Sequence, residues 1–565
     1  MTETTALIAE KPRTNTAARI GWAVLIAATL YVCYFSHLGA IGFVGPDEPR
    51  YAWIARDMAE TGDWVTPRLY GKPWFEKPPL LYWGAALCFK LFGVSEAAAR
   101  LPSAISALLA TLALAWLAMR LYGAETARWL LLLLPTTVGM IGFSHAAATD
   151  MPFSAMLTMA MVCAAVVLGL TRNENTPILP RTPWLALILF SFFLGLAVLA
   201  KGPAAIILSG GAVFFWALFT KRRRDAFRLF HPAAVAAFCL TALPWYILCA
   251  RRNPDFFRIF IIEHNFKRYL TPEFQHIQPF WFYVPVLLIA FLPWTALLLW
   301  SAIECAIQIA RARHVRSCTL FLITWTAFCI LFFSISRSKL PGYILPAIPA
   351  IGLLLAHDLS CRLRNKWASI RLLCLCIAAS LVAIGFVVDL LGEKIPFVTD
   401  VRPPRSIAAF ADLMFLGATV VVILSLLRRN RTAVAIAATA LLLPIFLTFG
   451  PDDLWQLDAG VSARPAAQGA IDHLPAAELG TATTYKVQRG LKFGLNFYLH
   501  RELAEWVPPV GRSSIVFTSH MYTKELEQIG VRCSRSIAIP AVEICADSST
   551  IAGSAAVLAD RRQPH

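Results

Sequence analysis

Long runs of apolar residues dominate the chain, and short polar stretches separate them. A helix needs about 20 mostly apolar residues to cross a ~30 Å hydrocarbon layer. Runs of this kind predict thirteen membrane-spanning helices, near residues 20–40, 100–119, 129–144, 151–170, 184–200, 203–219, 230–250, 280–300, 318–335, 341–357, 370–389, 408–427 and 432–449. The first run follows Arg13 and Arg19 and lacks a small-residue cleavage site, so it is expected to be an uncleaved anchor.

The composition supports this prediction. Hydrophobic residues make up 58% of the 565 positions, charged residues only 15%, and the mean hydropathy is +0.61. An ordinary globular protein is near half apolar and a quarter charged. A soluble multidomain protein and a disordered chain are therefore excluded, and the sequence predicts a polytopic α-helical membrane protein.

The net charge of +17 is spread along the chain in short clusters between the apolar runs. No single soluble region concentrates it, which argues against nucleic acid as a partner. Basic clusters between spans instead mark the cytoplasmic side of a membrane protein. This pattern predicts a cytoplasmic N-terminus, two long outer loops at 41–99 and 251–279, and, because the span number is odd, an external tail.

The last part of the chain differs in composition. Ser513–Ser519 and Ser536–Ile539 have the pattern of strands, and Tyr522–Gly530 has helical spacing. The sequence therefore predicts a transmembrane domain over 1–449, with juxtamembrane helices in loop 41–99, and a small α/β domain over 450–565. Positive-inside topology places that second domain outside the membrane, which is the periplasm if the cell is Gram-negative.

Most of the thirteen cysteines lie in or beside apolar runs, where a thiol acts as a small hydrophobe. Cys533 and Cys545 lie in the tail. In an oxidising compartment they form either a disulfide or two buried free thiols, and the sequence leaves both open.

Ionisable residues are nearly absent from the centres of the predicted spans and cluster at their outer ends. The clustered residues are Asp47, Glu48, Glu76, Lys77, Asp150, Lys201, His264 and Lys339, with Tyr343 beside the last of them. A transporter would place such groups near the midplane of the bilayer. The observed distribution favours a site at the outer boundary between water and lipid, open to a lipid-borne substrate.

Each of these groups also has a purely structural interpretation. Asp47 could cap the helix that follows it, with Pro49 in the first turn. Glu76 and Lys77 could form a solvated ion pair. Lys201 could extend towards lipid headgroups, and His264 could be an interfacial histidine without a ligand.

Several motifs resemble one known family. They are Gly45-Pro-Asp-Glu-Pro-Arg-Tyr51, Gly62-Asp-Trp-Val-Thr-Pro67, Phe75-Glu-Lys-Pro-Pro79, Arg100-Leu-Pro102 and Ser338-Lys-Leu-Pro-Gly-Tyr-Ile-Leu-Pro346. Their order closely resembles the bacterial aminoarabinose transferases of lipid A, which are GT-C glycosyltransferases related to protein O-mannosyltransferases. Trp53 departs from the pattern, because relatives often carry Glu there.

The resemblance implies the GT-C fold and a sugar donor linked to undecaprenyl phosphate. When the sugar leaves this donor, the polyprenyl phosphate gathers negative charge, which fixed cations stabilise in a water-poor site. Carried over from the family pattern, Lys77 and Lys201 are candidate contacts of the donor phosphate. Lys339 and Tyr343 form a further lip of the same site.

The resemblance also implies that Asp47 acts on the acceptor, with Glu48 beside it and Asp150 and Glu76 able to share the work. A Ser or Thr hydroxyl would need a general base. A lipid A phosphate, with a second pKa of about 6, is already an anionic nucleophile near neutral pH. With a phosphate acceptor, Asp47 would orient an amino group of the sugar or hold a cation. Inversion and retention at the anomeric carbon both stay open.

In relatives the positions of Glu76 and His264 look able to hold a divalent metal, Zn or Mg. The resemblance further implies the bacterial inner membrane, an amino sugar added to lipid A, and hence polymyxin resistance. Two alternatives stay open: transfer of another polyprenyl-linked sugar, such as a hexosamine or mannose, to a glycolipid or protein, and a lipid flippase or transporter.

Overall fold

The computed structural model describes residues 16–171, 183–267, 277–311, 315–365, 367–392, 405–426, 436, 458–507, 515–533 and 541–547. Within these ranges the membrane part is helical. Its helices are α1 (Thr16–Phe35), α2 (Asp47–Thr61), α3 (Leu80–Phe92), α4 (Glu96–Tyr122), α5 (Ala124–Leu133), α6 (Val138–Ser144), α7 (Asp150–Val167), α8 (Trp184–Lys201), α9 (Ala204–Thr220), α10 (Arg223–Phe227), α11 (Pro232–Arg252), α12 (Tyr283–Ala290), α13 (Thr295–Ala310), α14 (Ser317–Ile335), α15 (Ile348–Asn365), α16 (Trp367–Gly392) and α17 (Arg405–Leu426).

Shorter elements complete this part. They are 3-10 turns at Arg228–Phe230, Phe280–Phe282 and Pro341–Ala347, a π-helix at Arg258–Lys267, and a hairpin of strands β1 (Arg68–Leu69) and β2 (Lys72–Pro73). The two-residue strands pair antiparallel between α2 and α3. The segment 41–99, predicted as an outer loop with helices, thus contains α2, the hairpin and α3.

Within the described ranges, six helical segments are long and apolar enough to cross a membrane: α4, α7, α8, α11, α14 and Pro341–Leu363. A seventh span results if the bent pair α5 and α6 is counted as one. The chain is therefore a multi-pass membrane protein. Other predicted spans coincide with shorter apolar helices, and 432–449 lies outside the described residues except for residue 436, so the number thirteen stays a prediction.

Two predicted continuous spans are broken. The span predicted at 129–144 bends by 63° between α5 and α6, because Pro135 cannot continue α5. The span predicted at 280–300 is likewise divided into α12 and α13. The two breaks contact each other: Trp294 Nε1 donates to Thr136 Oγ1 at 2.9 Å, and the Val138 amide donates to the Leu292 carbonyl at 3.1 Å. These bonds satisfy polar groups that lipid could not.

Helix α7 is the centre of the helical part. It packs against α4 and α8, and 83% of the helix is buried inside the protein. A helix that is apolar on all sides belongs inside a bundle. Asp150 is its first residue, so one of the predicted site residues is held at the end of the most buried helix.

The tail forms a mixed sheet with helices. Its elements are α18 (Arg464–His473), α19 (Ala476–Leu479), β3 (Thr483–Tyr485), α20 (Arg489–Leu499), β4 (Ile515–Thr518), a 3-10 turn His520–Tyr522, α21 (Thr523–Gln528), β5 (Val531–Cys533) and β6 (Glu543–Asp547). The strand order is β3-β4-β6-β5, with β3 and β4 parallel and the other pairs antiparallel. The predicted strand at 513–519 and helix at 522–530 correspond to β4 and α21, and Ser536–Ile539 lies outside the described residues.

Cys533 and Cys545 are directly opposite each other on β5 and β6 and form a disulfide. This settles the choice that the sequence left open. The bond links the edge strand β5 to its neighbour β6.

Candidate active site

The first turn of α2 carries both acids of the first motif. Pro46 is the N-cap residue, and no side chain caps the helix. The capping role considered for Asp47 is therefore wrong, since Asp47 is the first residue of the helix. Its carboxylate instead pairs with the guanidinium of Arg50, one turn later, and its side chain remains 49% exposed.

Arg50 connects two of the predicted site acids. Its Nη2 pairs with Asp47, its Nη1 donates to Glu76 Oε2 at 2.9 Å, and its Nε donates to the Pro46 carbonyl at 2.8 Å. The side chain is buried, which a charge tolerates only when it is paired. Sequence reasoning missed Arg50 as a site residue, although its spacing of three from Asp47 on a helix gave a signal.

Aromatic rings surround this guanidinium. The Trp74 ring centroid lies 5.5 Å from its central carbon, and that of Phe493, from the tail, lies at 5.3 Å. Contacts of this length give a cation–π attraction. Arg50 is thus held both by acids and by rings from two parts of the chain.

Glu48 has a different environment from its neighbour. It is buried, and its two oxygens accept four hydrogen bonds: Oε1 from Arg100 Nε (2.9 Å) and the Ala147 amide (2.7 Å), Oε2 from Arg100 Nη2 and the Val44 amide (both 2.8 Å). These bonds use the acceptor capacity of the carboxylate. All four acceptor positions of Glu48 are thus occupied within the protein, which favours a structural role. The catalytic role predicted for Glu48 stays a prediction.

The partner of Glu48 is fully engaged as well. Besides its two bonds to Glu48, Arg100 donates to the carbonyls of Leu38 (2.8 Å), Ile41 (2.7 Å) and Gly42 (2.8 Å). All five of its N–H groups are therefore used. Glu48 and Arg100 join α2, α4, the loop before α2 and the turn before α7.

Asp150 and Lys201 form the second acid–cation pair. The Lys201 ammonium, at the end of α8, donates to Asp150 Oδ1, and both side chains are mostly buried. The Tyr343 ring centroid lies 4.5 Å from the same nitrogen. The structure thus pairs Asp150 with Lys201 and brings the Tyr343 ring to the same ammonium. Lys201 does not merely extend to headgroups.

Close packing limits the space around Asp150. A Cβ added at Gly342 would lie 2.6 Å from Asp150 Oδ1 and 2.9 Å from Phe143 Cε1. Only glycine therefore fits next to this carboxylate.

Gly342→Ala is expected to displace the Asp150 carboxylate and weaken its pair with Lys201. Misplacing a site group by about 1 Å can lower turnover by roughly 100-fold. Turnover by the purified protein measures the effect. Gly142→Ala is the matched control, since a methyl there meets no atom within 4 Å. Equal activity of the two variants would show that the position of Asp150 does not matter.

Lys339 is buried, and its ammonium donates to the carbonyls of Ser336 (2.5 Å) and Gln278 (3.0 Å). Burial lowers the pKa of this lysine. The contacts tie the turn before Pro341 to the segment before α12. The phosphate role of Lys339 stays a prediction.

Lys77 is half-buried between β2 and α3, next to Glu76. Glu76 pairs with Arg50, which also pairs with Asp47. Lys77, the next residue after Glu76, is therefore attached to this group of paired side chains. Its role at the donor phosphate also stays a prediction.

The metal role predicted for Glu76 and His264 stays a prediction. His264 lies in the π-helix, but its side chain is outside the described part of the structure. Glu76 is paired with a cation, which does not favour a metal ligand. No three His, Cys, Asp or Glu side chains among the described residues form a group that could hold a metal ion.

The tail is docked onto the loop before α2 by a buried polar network. Asp458 accepts bonds from the Gly42 amide (2.6 Å) and from Arg464 Nε (2.7 Å). Tyr498 donates to Glu96 Oε1 (2.8 Å) and accepts from the Phe43 amide (2.9 Å). Sequence reasoning could not pair the loop and Glu96 with the tail residues, which lie 402 to 455 positions away.

Trp53, the departure from the family pattern, belongs to this docking surface. Its ring lies 4.8 Å from that of Tyr70 and 5.5 Å from that of His500 in the tail. Tyr70 in turn accepts a bond from Asn496 Nδ2 at 2.9 Å, and burial raises its pKa to about 12. The tryptophan thus packs α2 against the tail.

The sequence and the fold resemble those of known proteins. The family model of dolichyl-phosphate-mannose-protein mannosyltransferases matches residues 17–260. The undecaprenyl phosphate-alpha-4-amino-4-deoxy-L-arabinose arabinosyl transferase of Erwinia tasmaniensis is 34% identical over 314 residues, which are 55% of this chain and 54% of the relative. The transferase of that name from Pseudomonas aeruginosa is 33% identical over 344 residues, 61% of this chain and 60% of the relative. The chain thus matches between half and two thirds of the length of these relatives.

The crystal structures of ArnT from Cupriavidus metallidurans extend the likeness to nearly the whole chain. The apo structure is 25% identical with a TM-score of 0.71 and covers 95% of this chain and 99% of that one. The structure bound to undecaprenyl phosphate is 24% identical with a TM-score of 0.71, over 94% and 99%. The chain therefore has the GT-C fold, and its resemblance to the aminoarabinose transferases, predicted from its motifs, is confirmed.

Proposed function

We propose that the chain is a glycosyltransferase that moves 4-amino-4-deoxy-L-arabinose from undecaprenyl phosphate to a phosphate of lipid A. The observation that carries the proposal is the Glu48–Arg100 frame. It links the helix that bears Asp47 to the turn that leads into Asp150, and so joins two acid–cation pairs from separate elements. The names of the curated relatives and of the undecaprenyl phosphate complex supply the sugar and the carrier.

The proposed reaction separates charge, and the site contains groups suited to each part. An oxygen of the acceptor phosphate forms a bond to the anomeric carbon, while the bond from that carbon to the polyprenyl phosphate oxygen breaks and its electron pair leaves with the phosphate. Lys77 and Lys201 would stabilise the leaving phosphate as fixed point charges. Asp150 and the Tyr343 ring hold the Lys201 ammonium in place.

Asp47 would act on the sugar and acceptor. It is the exposed acid of the pair in the first motif, and Arg50 fixes its orientation. An ionised phosphate acceptor needs no general base. We therefore assign Asp47 to the amino group of the sugar, whose positive charge it would attract and orient.

The proposed location is the periplasmic face of the bacterial inner membrane. The basic clusters between the spans support a cytoplasmic N-terminus. The tail, which contacts α2 and its preceding loop, would then lie outside with the site. Adding a cationic sugar to lipid A would weaken the attraction for polymyxin.

A second candidate is favoured by the family model matched over residues 17–260, whose description names mannose transfer from a dolichyl carrier to protein. With a hydroxyl acceptor Asp47 would be the general base, a role that contributes about 10²–10⁴-fold.

The test is sugar transfer by purified protein in detergent, without a membrane gradient. Donors carrying aminoarabinose, mannose or a hexosamine on undecaprenyl phosphate are offered with lipid A or with a Ser/Thr peptide, and products are resolved by mass. Aminoarabinose on lipid A supports the proposal. Unchanged lipid A with a modified peptide would replace it by the second candidate, and no transfer from any donor would point to transport.

Lys77→Ala is expected to weaken binding of undecaprenyl phosphate by about 10-fold. The loss corresponds to one charge-assisted contact of ~1.5 kcal/mol. Titration of the purified protein with the lipid measures it. Lys72→Ala, which removes an exposed lysine from the hairpin just before, is the control. Unchanged affinity in Lys77→Ala would exclude its phosphate role.

A further inference from the structure

A stack of two guanidinium groups on one ring connects the tail to the site. The central carbon of Arg50 lies 5.3 Å from the Phe493 ring centroid, and that of Arg489 lies 5.5 Å from it. Arg50 belongs to α2, whereas the other two residues belong to α20 of the tail. A tail arginine thus contacts the same ring as Arg50, the residue that pairs with Asp47.

The first turn of α20 is also held close to the first motif. A Cβ added at Gly490 would lie 2.8 Å from the carbonyl carbon of Gly45, two residues before Asp47. The backbones of Gly490 and Gly45 are therefore in close contact. Arg489, next to Gly490, is positioned by this contact as well as by Phe493.

The two arginines differ in how far their guanidinium groups are already bonded to other groups. Arg50 is buried and engaged by Asp47, Glu76 and the Pro46 carbonyl. Arg489 is exposed, and within the described part of the chain its contact is the Phe493 ring, with no carboxylate paired to it. Its charge is thus available to an anion that approaches Asp47.

We propose that Arg489 is an acceptor-specificity residue that binds the phosphate of the anionic acceptor lipid. This inference rests on the proposed function, in which an acceptor phosphate oxygen must reach the anomeric carbon near Asp47. A planar guanidinium suits phosphate, and the Phe493 ring limits its freedom before binding. Arg489 takes no part in the bonds that form and break. It selects acceptors that carry a phosphate and brings them to the site.

The test compares Arg489→Gln with Lys524→Gln. Both remove one exposed positive charge from the tail, but Lys524 lies on α21, which packs against β5. We expect Arg489→Gln to raise KM for lipid A about 10-fold, with KM for the donor and kcat at saturating lipid A unchanged. Arg489→Lys should restore part of the loss, because a lysine also binds phosphate. Lys524→Gln should behave as the wild type.

An unchanged KM for lipid A in Arg489→Gln, or an equal rise in Lys524→Gln, would overturn the inference. A second measurement keeps it testable if the wild type transfers no sugar, which would refute the proposed function instead. Binding of bisphosphorylated and dephosphorylated lipid A to each variant is then titrated. A preference for the phosphorylated lipid that Arg489→Gln loses supports the inference, and equal preference in both variants contradicts it.

Discussion

Glu48→Gln is expected to prevent stable folding around the site, although the substitution changes neither the size nor the shape of the side chain. Each Glu48 oxygen accepts two hydrogen bonds, and all four donors are N–H groups. An amide places an NH2 group at one of the two oxygen positions. In either orientation of the amide, its NH2 group then faces two N–H donors and cannot accept their hydrogen bonds.

The loss of the negative charge of Glu48 destabilises the folded state further. Arg100 is buried and has no other carboxylate among its five bonds. Removing one partner of a buried ion pair costs ~3–5 kcal/mol, because the remaining charge is left without compensation. This is a large part of the stability of most domains.

Thermal unfolding in detergent and the yield of monodisperse protein measure the effect. Glu60→Gln, which removes an exposed acid from the far end of the same helix, is the control and should behave as the wild type. A Glu48→Gln protein that is as stable as the wild type but inactive would support the catalytic role that the sequence predicted.

The sequence was informative where a single rule decides the outcome. Asp150 and Lys201 were both predicted to lie at the outer ends of their spans, and the structure shows them paired. Within the described residues, the predicted spans largely coincide with helices, since length and apolarity need no partner. The break at Pro135 had its own signal, a proline inside an apolar run, which the prediction did not use.

The sequence could not separate Asp47 from Glu48. The two acids are adjacent, and nothing local says which side of the helix will be buried. The answer comes from Arg100 and the Ala147 amide, 52 and 99 positions away. Long-range partners likewise decide that Trp53 packs against the tail and that Arg489 stands beside Arg50.

Asp47→Asn is expected to lower turnover by about 10²–10³-fold while leaving the fold intact. Asp47 is half-exposed, and its one described partner is Arg50, which keeps Glu76 and the Pro46 carbonyl in the variant. An asparagine oxygen can still accept from Arg50, so the loss of the negative charge is the main change. The size of the effect is that of removing one preorganised electrostatic group from an active site.

Turnover, thermal stability and the pH dependence of the rate together define the role of Asp47. If it orients the amino group of the sugar, the acid limb of the profile follows the acceptor phosphate, with a pKa near 6. That limb then persists in Asp47→Asn at a lower rate. If Asp47 is the base for a hydroxyl, the limb belongs to the carboxylate and disappears in the variant. Wild-type turnover in Asp47→Asn would remove Asp47 from the site altogether, and an unfolded variant would mean that its pair with Arg50 is structural.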